Sequence, residues 1–223
     1  MKKVILLLVL ILNLTSYSQN PSEHQDYNLF KPNYPDGIYK TKEDFIRKIP
    51  FQTIAIIPKG LVGLTKPTLT ELTHNCFFFY SFSDEKINDA FAISYKGHLY
   101  FQIKSILKYK NKRDNSESHT FPNSYVKVII GGENYFYTEA DLANSWSKGL
   151  AYGSGGSVGG VIGSSLGNGK GIVWDFKNKE FNIFSNCKDF NEFITDKYPE
   201  GIQECSKNQP DILKIREAIE KIK

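Results

Sequence analysis

Residues 91–103 have the sequence FAISYKGHLYFQI, and this stretch decides the fold. Large apolar residues alternate with small or polar ones on both sides of a glycine. A period of two is typical of a β-strand with one buried face, and a glycine between two such runs is typical of a hairpin turn. We expect a three-residue loop over 95–97, with Gly97 in the left-handed conformation of a bulge. That loop would pair Ile93 with Leu99.

Two further hairpins are predicted along the chain. Residues 125–137 contain two apolar runs on either side of a glycine pair, and the pattern leaves their register open. A turn at 178–179 is expected to pair Phe176 with Phe181, because that register keeps large apolar residues on one face. Hairpins that follow one another without crossover helices form antiparallel sheets.

Short helices are predicted between and after the hairpins. Thr41 and Thr138 each have an aspartate three residues later, which is typical of a helix N-terminus with a capping box. Asn186 precedes a third helical pattern, and isoleucines at helical spacing over 212–222 predict a fourth. The fold class is therefore α+β, with an antiparallel sheet built from β-hairpins and packed against several short helices.

The N-terminus has the features of a secretory signal. Lys2 and Lys3 precede a short apolar run, and the small residues Ser16 and Ser18 mark a cleavage site. The run is too short to span a bilayer, which takes roughly 20 apolar residues. We therefore assign residues 1–18 to a signal peptide and expect an exported protein, either periplasmic or secreted.

Composition indicates one packed domain after the signal. The chain is 40% hydrophobic and 14% aromatic, which is typical of a globular protein. We expect an extended leader over 19–35 and a single α+β domain over 36–223. Removal of the signal reduces 28 basic side chains to 26, against 24 acidic ones. This near-neutral balance and the predicted export give no reason to expect a nucleic-acid partner.

Three cysteines are present, so at most one intramolecular disulfide can form. Cys187 and Cys205 are the expected pair, because both lie beside predicted helices in one short C-terminal stretch. Cys76 opens an aromatic strand instead. Burial as free, small hydrophobic residues is the alternative for all three.

A glycine-rich segment over 149–169 carries no charged residue. Its glycines at positions 155, 159, 163 and 167 recur at every fourth residue, which on a helix would form a groove for close approach of a second helix. We expect Gly155, Gly159, Gly163 and Gly167 to form a glycine zipper if the segment is helical. Packing against the sheet or helices, a mobile surface loop, and membrane or self-association are the three interpretations. Each glycine in a helix costs about 0.8–1 kcal/mol relative to alanine. A helix with this many glycines is therefore unstable in water, and spontaneous insertion of the segment into a membrane is disfavoured.

No catalytic, metal or cofactor motif stands out. The glycine-rich segment matches the G-x-S-x-G pattern at Ser157 and Ser165, but all four histidines precede it, which excludes the hydrolase fold that uses this pattern. The histidines and cysteines lack the spacing of metal ligands, and we predict no cofactor. One sharper hypothesis is an aromatic platform for sugars or peptides; the ordinary alternative is that these rings fill a core. Its members would be Tyr100, Tyr135, Tyr137, Trp146 and Tyr152.

The stretch 35–46, PDGIYKTKEDFI, resembles a segment of uncharacterised exported proteins from Bacteroidota-type bacteria. The signal end Ser16–Gln19, the glycine-rich stretch and the later Lys197–Glu200 element are similar too. The resemblance touches both ends of the mature chain. It implies export but no established activity, and no catalytic residue can be transferred from it.

Three functional hypotheses follow from the sequence. The preferred one is a non-enzymatic exported module that binds or supports an unknown partner in the cell envelope. The second is a membrane-associated or self-assembling protein that acts through the glycine zipper. The third is an extracytoplasmic hydrolase. The sequence favours a protein that is not an enzyme.

Overall fold

The computed structural model describes residues 30–60, 75–117, 121–140, 142, 170–206 and 208–223. Within these ranges the chain forms ten strands and four α-helices. The strands are β1 (Gly37–Tyr39), β2 (Ile56–Gly60), β3 (Asn75–Tyr80), β4 (Ala92–Tyr95), β5 (His98–Gln102), β6 (Tyr125–Lys127), β7 (Ile130–Gly131), β8 (Tyr135–Ala140), β9 (Lys170–Asp175) and β10 (Glu180–Phe184). The helices are α1 (Lys42–Arg47), α2 (Ile103–Lys108), α3 (Cys187–Ile194) and α4 (Ile212–Ile222), with a 3₁₀ turn at Pro199–Gly201.

The strands form two antiparallel sheets. One has six strands in the order β1-β4-β5-β6-β3-β2, and the other has four in the order β10-β9-β8-β7. Every strand pair in both sheets is antiparallel. The α+β class and the antiparallel pairing that the sequence predicts are thus confirmed.

The main core lies where the two sheets face each other. Phe101 of the six-stranded sheet and Trp174 and Phe181 of the four-stranded sheet are fully buried in one cluster. The rings of Phe101 and Phe181 meet edge to face at 5.0 Å, and those of Trp174 and Phe181 lie 4.8 Å apart. Aromatic pairs at these distances stabilise a core by about 0.5–1.5 kcal/mol beyond the area they bury.

One backbone segment passes from the first sheet to the second. Tyr125–Lys127 pairs in the six-stranded sheet, and Ile130–Gly131 pairs in the four-stranded one. Between them, Val128 N–H donates to the Leu99 carbonyl and Ile129 N–H donates to the Tyr137 carbonyl, each at 2.8 Å. Of the predicted hairpin over 125–137, only the β7–β8 pair forms. Residues 125–127 pair in the six-stranded sheet instead.

The outer face of each sheet is also buried. Helices α3 and α4 cover the four-stranded sheet, where Phe190 and Ile219 pack against Val173. On the six-stranded sheet, Ile93 and Tyr100 belong to a separate cluster. Burial on both faces is the reason why the strands of this protein are apolar on both sides.

This two-sided burial corrects the first predicted hairpin. The β4–β5 loop has two residues, not three, and Ile93 pairs with Tyr100 instead of Leu99. Lys96 and Gly97 have φ values of 51° and 75°, as a two-residue hairpin turn requires. The left-handed Gly97 is as expected, but the assumption of a single apolar face was wrong.

Two other local predictions also need correction. Trp174, not Phe176, pairs with Phe181, because Asp175 closes a four-residue turn by accepting from the backbone N–H of Asn178 at 3.0 Å. Thr138 does not cap a helix: it lies inside β8, and its hydroxyl donates to the Lys127 carbonyl at 2.6 Å.

The other predicted helix starts are confirmed. Thr41 and Asp44 form a complete capping box at α1, Asn186 and Asp189 form one at α3, and Asp211 caps α4. Residues 30–35 of the predicted leader contain neither helix nor strand. Tyr34 nevertheless is only 6% exposed and stacks on Phe45 at 4.9 Å. Packing therefore begins within the predicted leader, before residue 36, where the sequence predicts the start of the domain.

Candidate binding groove

The predicted special sites fall in different parts of the chain. Gly155, Gly159, Gly163 and Gly167 lie outside the described residues. Cys187 and Cys205 are joined by a disulfide with their Cα atoms 5.5 Å apart, and Cys76 is a buried free thiol. Burial raises the pKa of the Cys76 thiol well above its ordinary value, so this side chain is a packed hydrophobic group and not a nucleophile.

A polar groove of about 450 Å³ opens at the outer edge of the four-stranded sheet. Its walls are the loop after α2 (residues 111–116), the edge strand β10 with the residues after it (180–186), and one side of α3 with the following turn (189–197). The β9–β10 turn, with Asp175 and Asn178, closes one end. The groove thus brings together segments about 70 residues apart in sequence.

Backbone pairing fixes the loop to the edge of the sheet. The N–H of Asn111 donates to the carbonyl of Phe181 at 2.8 Å, and the N–H of Phe181 donates to the carbonyl of Tyr109 at 2.9 Å. The side-chain amide of Asn111 then donates to Glu180 at 3.1 Å. The sequence predicts the residues from 108 to 123 as a solvated connector, but at 109–111 this segment extends the sheet.

A network of hydroxyl, carboxylate and ammonium groups holds the wall of the groove. Ser116, which is only 3% exposed, places its Oγ 3.1 Å from the Oγ of Ser185. The Nζ of Lys170 lies 3.1 Å from both hydroxyl oxygens. Asp114 accepts from the backbone N–H of Ser116 at 2.7 Å and from the hydroxyl of Ser185 at 3.2 Å. These contacts connect the loop, β9 and the end of β10.

The helical wall is fixed by the capping box and the disulfide. The carboxylate of Asp189 accepts from the backbone N–H groups of Ser185 and Asn186 at 3.0 and 3.2 Å. The adjacent Cys187 is bonded to Cys205, and its backbone N–H donates to the Asn208 carbonyl at 2.8 Å. The N-terminus of α3 is therefore closed by its own side chains.

Lys197 lines the groove just after the end of α3, close enough to Asp175 for the two charges to interact. Its Nζ donates to the Phe193 carbonyl at 2.6 Å and lies 4.1 Å from the centre of the Phe193 ring. Desolvation by burial lowers the pKa of Lys197 from its ordinary value, and nearby Asp175 and Asp196 oppose that change. Lys197 thus lies over the ring of Phe193, which also lines the groove.

The groove offers a mixture of hydrogen-bond donors and acceptors. Its described lining carries five carboxylates but only two cationic side chains, Arg113 and Lys197. Side-chain amides are added by Asn111, Asn115, Asn178, Asn182 and Asn186. Three of them already donate within the wall: Asn111 to Glu180, Asn178 to Asp175 and Asn186 to Asp189. Asn115 is exposed, and its side chain makes no hydrogen bond within the described part of the chain. The site therefore suits a polar ligand that is not an anion.

The predicted aromatic platform is not formed by its described members. Tyr100 and Tyr137 are both fully buried, on opposite sheets. Tyr135 is half-buried and packs edge to face on Phe193 at 5.6 Å. Trp146 and Tyr152 lie outside the described residues. The described rings fill the interior, which is the ordinary alternative that the strand pattern also allowed.

The described ranges contain neither a metal centre nor a candidate membrane span. Among the described residues, no group of three or more histidine, cysteine, aspartate or glutamate side chains is placed to hold a metal ion. Within those ranges, no helix combines the length and the apolar content that crossing a membrane requires.

Sequence reasoning missed the groove because its residues form no local motif. Asp114 and Ser185 are 71 positions apart, and each belongs to a stretch that resembles an ordinary polar loop. One signal in the sequence is a concentration of asparagines in two separate stretches. Asn111 and Asn115 lie in the loop after α2, and Asn178, Asn182 and Asn186 lie in β10 or close to its ends.

Comparison of the chain with protein-family models, with curated proteins and with solved structures gives no match. The function of this protein therefore has to be inferred from its own fold and from the chemistry of the groove.

Proposed function

We propose that this protein is a non-enzymatic exported binding module of the cell envelope and that it holds its ligand in the groove beside β10. The observation that carries the proposal is the groove itself, about 450 Å³ in volume and lined by polar side chains that neighbouring groups hold in place. Ligand sites in proteins have volumes of roughly 300–1,000 Å³ and are usually formed before the ligand arrives.

Rigidity supports a binding role. Asp114 accepts two hydrogen bonds from the groove wall and Asp189 accepts three, and the Cys187–Cys205 disulfide fixes one end of α3. A preorganised site loses little conformational entropy when a ligand binds. A disulfide also agrees with the export that the signal sequence predicts, because such bonds persist in oxidising compartments.

Retention of the purified chain on washed cell envelopes of the producing organism tests the proposal. Asn115→Trp places a large ring in the groove without removing an internal contact, so it should lower retention severalfold. Asn33→Trp is the matched control. Asn33 is also exposed, but it does not line the groove. Equal retention of the two variants and of the unmodified chain would refute a role for the groove.

A hydrolase is the second candidate, and one observation favours it. Lys170 Nζ lies within hydrogen-bond distance of two serine hydroxyls, Ser116 and Ser185, and a lysine can activate a serine nucleophile if it is neutral. However, Lys170 donates to both hydroxyls, and the hydroxyl of Ser185 donates to Asp114, so Lys170 is not placed to accept a proton from either serine. We therefore place this candidate second.

A fluorophosphonate probe distinguishes the two candidates. Such probes label activated serines covalently, so a hydrolase of this kind should be labelled, and Ser116→Ala or Ser185→Ala should abolish the labelling. A binding module should not be labelled by the probe under conditions in which it still binds cell envelopes.

Membrane association or self-assembly through the glycine zipper is the third candidate. It depends entirely on residues 155–167, which the structure does not describe. A carbonate wash of isolated envelopes tests it, since a peripheral module should be released as a monomer whereas an inserted helix should not.

A further inference from the structure

We infer that the groove beside β10 binds a neutral carbohydrate chain. This inference rests on the proposed binding function and adds the chemical class of the ligand. Four features of the described groove support it: its hydrogen-bonding groups, its charge, its rigidity and the way in which the edge of the sheet is already occupied.

The hydrogen-bonding groups match those of a sugar. Each hydroxyl of a saccharide both donates and accepts, and neighbouring hydroxyls are best bound by planar groups that present two polar atoms side by side. Carboxylates accept from such hydroxyls in strong, charge-assisted hydrogen bonds, and amides can donate as well as accept. Glu180 and Asn182 lie on alternate positions of β10 and face the groove, with the exposed Asn115 on the opposite loop.

The charge of the groove selects against anions. Its described lining carries five carboxylates and two cationic groups, and one of these, Lys197, is engaged with Phe193. Anionic polymers such as nucleic acids or uronic-acid chains would meet repulsion at Asp175 and Glu180. A neutral chain of hydroxyl-bearing rings meets none.

Rigidity compensates for the weakness of single sugar contacts. The hydrogen bonds of a ligand hydroxyl replace those that it makes with water, so each adds only about 0.5–1.5 kcal/mol. Such a site must therefore be held in its binding geometry beforehand. Asn111 is held by Glu180 and by its own backbone pairing with Phe181, as a preorganised site requires.

An extended peptide fits this groove less well. A peptide that adds to a sheet needs an unpaired strand edge and pockets for its side chains. At Phe181 the edge of β10 is already paired with residues 109–111. The aromatic side chains at the base, Phe184 and Phe193, are 2% and 9% exposed, which leaves no apolar pocket.

Isothermal titration of the full mature chain tests the inference with defined probes. These are neutral six-unit oligosaccharides of glucose (both linkage types), xylose and N-acetylglucosamine, a six-unit galacturonic acid oligosaccharide, and a pool of unstructured peptides. We expect binding to at least one neutral oligosaccharide and none to the acidic one. Asn182→Ala and Glu180→Gln should each weaken that binding about 10-fold, as expected for loss of one good hydrogen bond.

Matched controls separate this inference from the proposed function. Asn33→Ala and Glu217→Gln make the same chemical changes at exposed positions outside the groove, and they should bind like the unmodified chain. Binding of the peptides or of the acidic oligosaccharide in a groove-dependent manner would overturn the carbohydrate inference while leaving the binding function intact. If Asn115→Trp changes neither envelope retention nor any titration, both proposals fail.

Discussion

The carboxylate of Asp36 accepts a hydrogen bond of 2.9 Å from the backbone N–H of Lys96, 60 residues later in the chain. It also accepts from the hydroxyl of the buried Ser94 at 3.1 Å. One side chain at the start of β1 therefore organises the tight turn between β4 and β5. This contact gives a physical role to the aspartate in the sequence PDGIY.

Loss of the Asp36 carboxylate should destabilise the fold. Asp36→Ala removes the acceptor for the turn N–H group, and we expect the free energy of unfolding to fall by about 1–3 kcal/mol. Asp36→Asn keeps one acceptor oxygen and should cost less. Denaturation with urea, followed by circular dichroism, measures both. Equal stability of Asp36→Ala and the unmodified chain would show that this contact contributes nothing.

Any side chain at Gly97 should lower the stability of the fold through the backbone conformation, and not through a steric clash. Its φ is 75°, and a Cβ added there would meet no atom within 4 Å. Gly97→Ala should therefore cost about 1–2 kcal/mol, the ordinary penalty for a left-handed L-residue. Gly97→Asn should cost less, because asparagine tolerates this conformation. The same urea titration measures both, and a larger loss for Asn than for Ala would contradict the explanation.

Substitution of one partner in the ion pair between Glu139 and Arg216 should strongly lower the free energy of unfolding. Glu139 is 1% exposed, and Arg216 binds it with two hydrogen bonds of 2.7 and 2.9 Å that join α4 to β8. Arg216→Leu removes both of these hydrogen bonds and the cationic partner from a buried carboxylate, so it should cost about 3–5 kcal/mol.

A double-mutant cycle isolates the interaction between the two side chains. The double variant Glu139→Leu with Arg216→Leu should be more stable than Arg216→Leu alone, because the buried carboxylate is then removed together with its cationic partner. Additive losses in the cycle would mean that the two side chains do not stabilise each other.

The disulfide should be the main covalent contribution to stability. Cys187 and Cys205 are 18 residues apart, and closing a loop of this size stabilises a protein by about 3 kcal/mol. Cys187→Ala with Cys205→Ala should lower the free energy of unfolding by about that amount. The native chain should show no thiol that reacts with a thiol reagent, and the unfolded chain should show one, Cys76. A reactive thiol in the native state would contradict the burial of Cys76.

Stability should depend on pH through His98. Burial lowers the pKa of His98 from its ordinary value of 6.5, and nearby Lys127 and Lys31 lower it further. The unfolded chain then binds a proton more readily than the folded one. The stabilising contribution is therefore complete above pH 6.5 and is lost as the pH falls towards the folded pKa. His98→Gln should flatten the dependence between pH 5 and 7, as measured by urea denaturation at each pH.

Two helix starts were accessible from the sequence because their causes are local. Thr41 and Asp44 form the capping box that their spacing predicts, and Asn186 caps α3 as expected. Strand registers were not accessible, because strands buried on both faces carry apolar residues on both sides. Ile93 and Phe101 lie on opposite faces of the same sheet, and both are fully buried, so the apolar pattern could not choose between a two-residue and a three-residue loop.

The groove was beyond sequence reasoning for a different reason. Its contacts, such as that between Asp114 and Ser185, join residues that only the tertiary fold brings together. Thr138 is a case in which a local sequence pattern predicts a structure that the tertiary fold does not form. Its spacing to Asp141 imitates a helix cap, but pairing of β8 with β9 along its whole length overrides that local preference.

The backbone that crosses between the sheets at residues 127–130 makes the two halves of the molecule interdependent. Neither sheet can separate without exposing the aromatic rings that the other covers, and the crossing strand would lose partners on both sides. Heating should therefore melt both sheets in one cooperative calorimetric transition. A gene divided at this point should yield two fragments that aggregate when expressed alone.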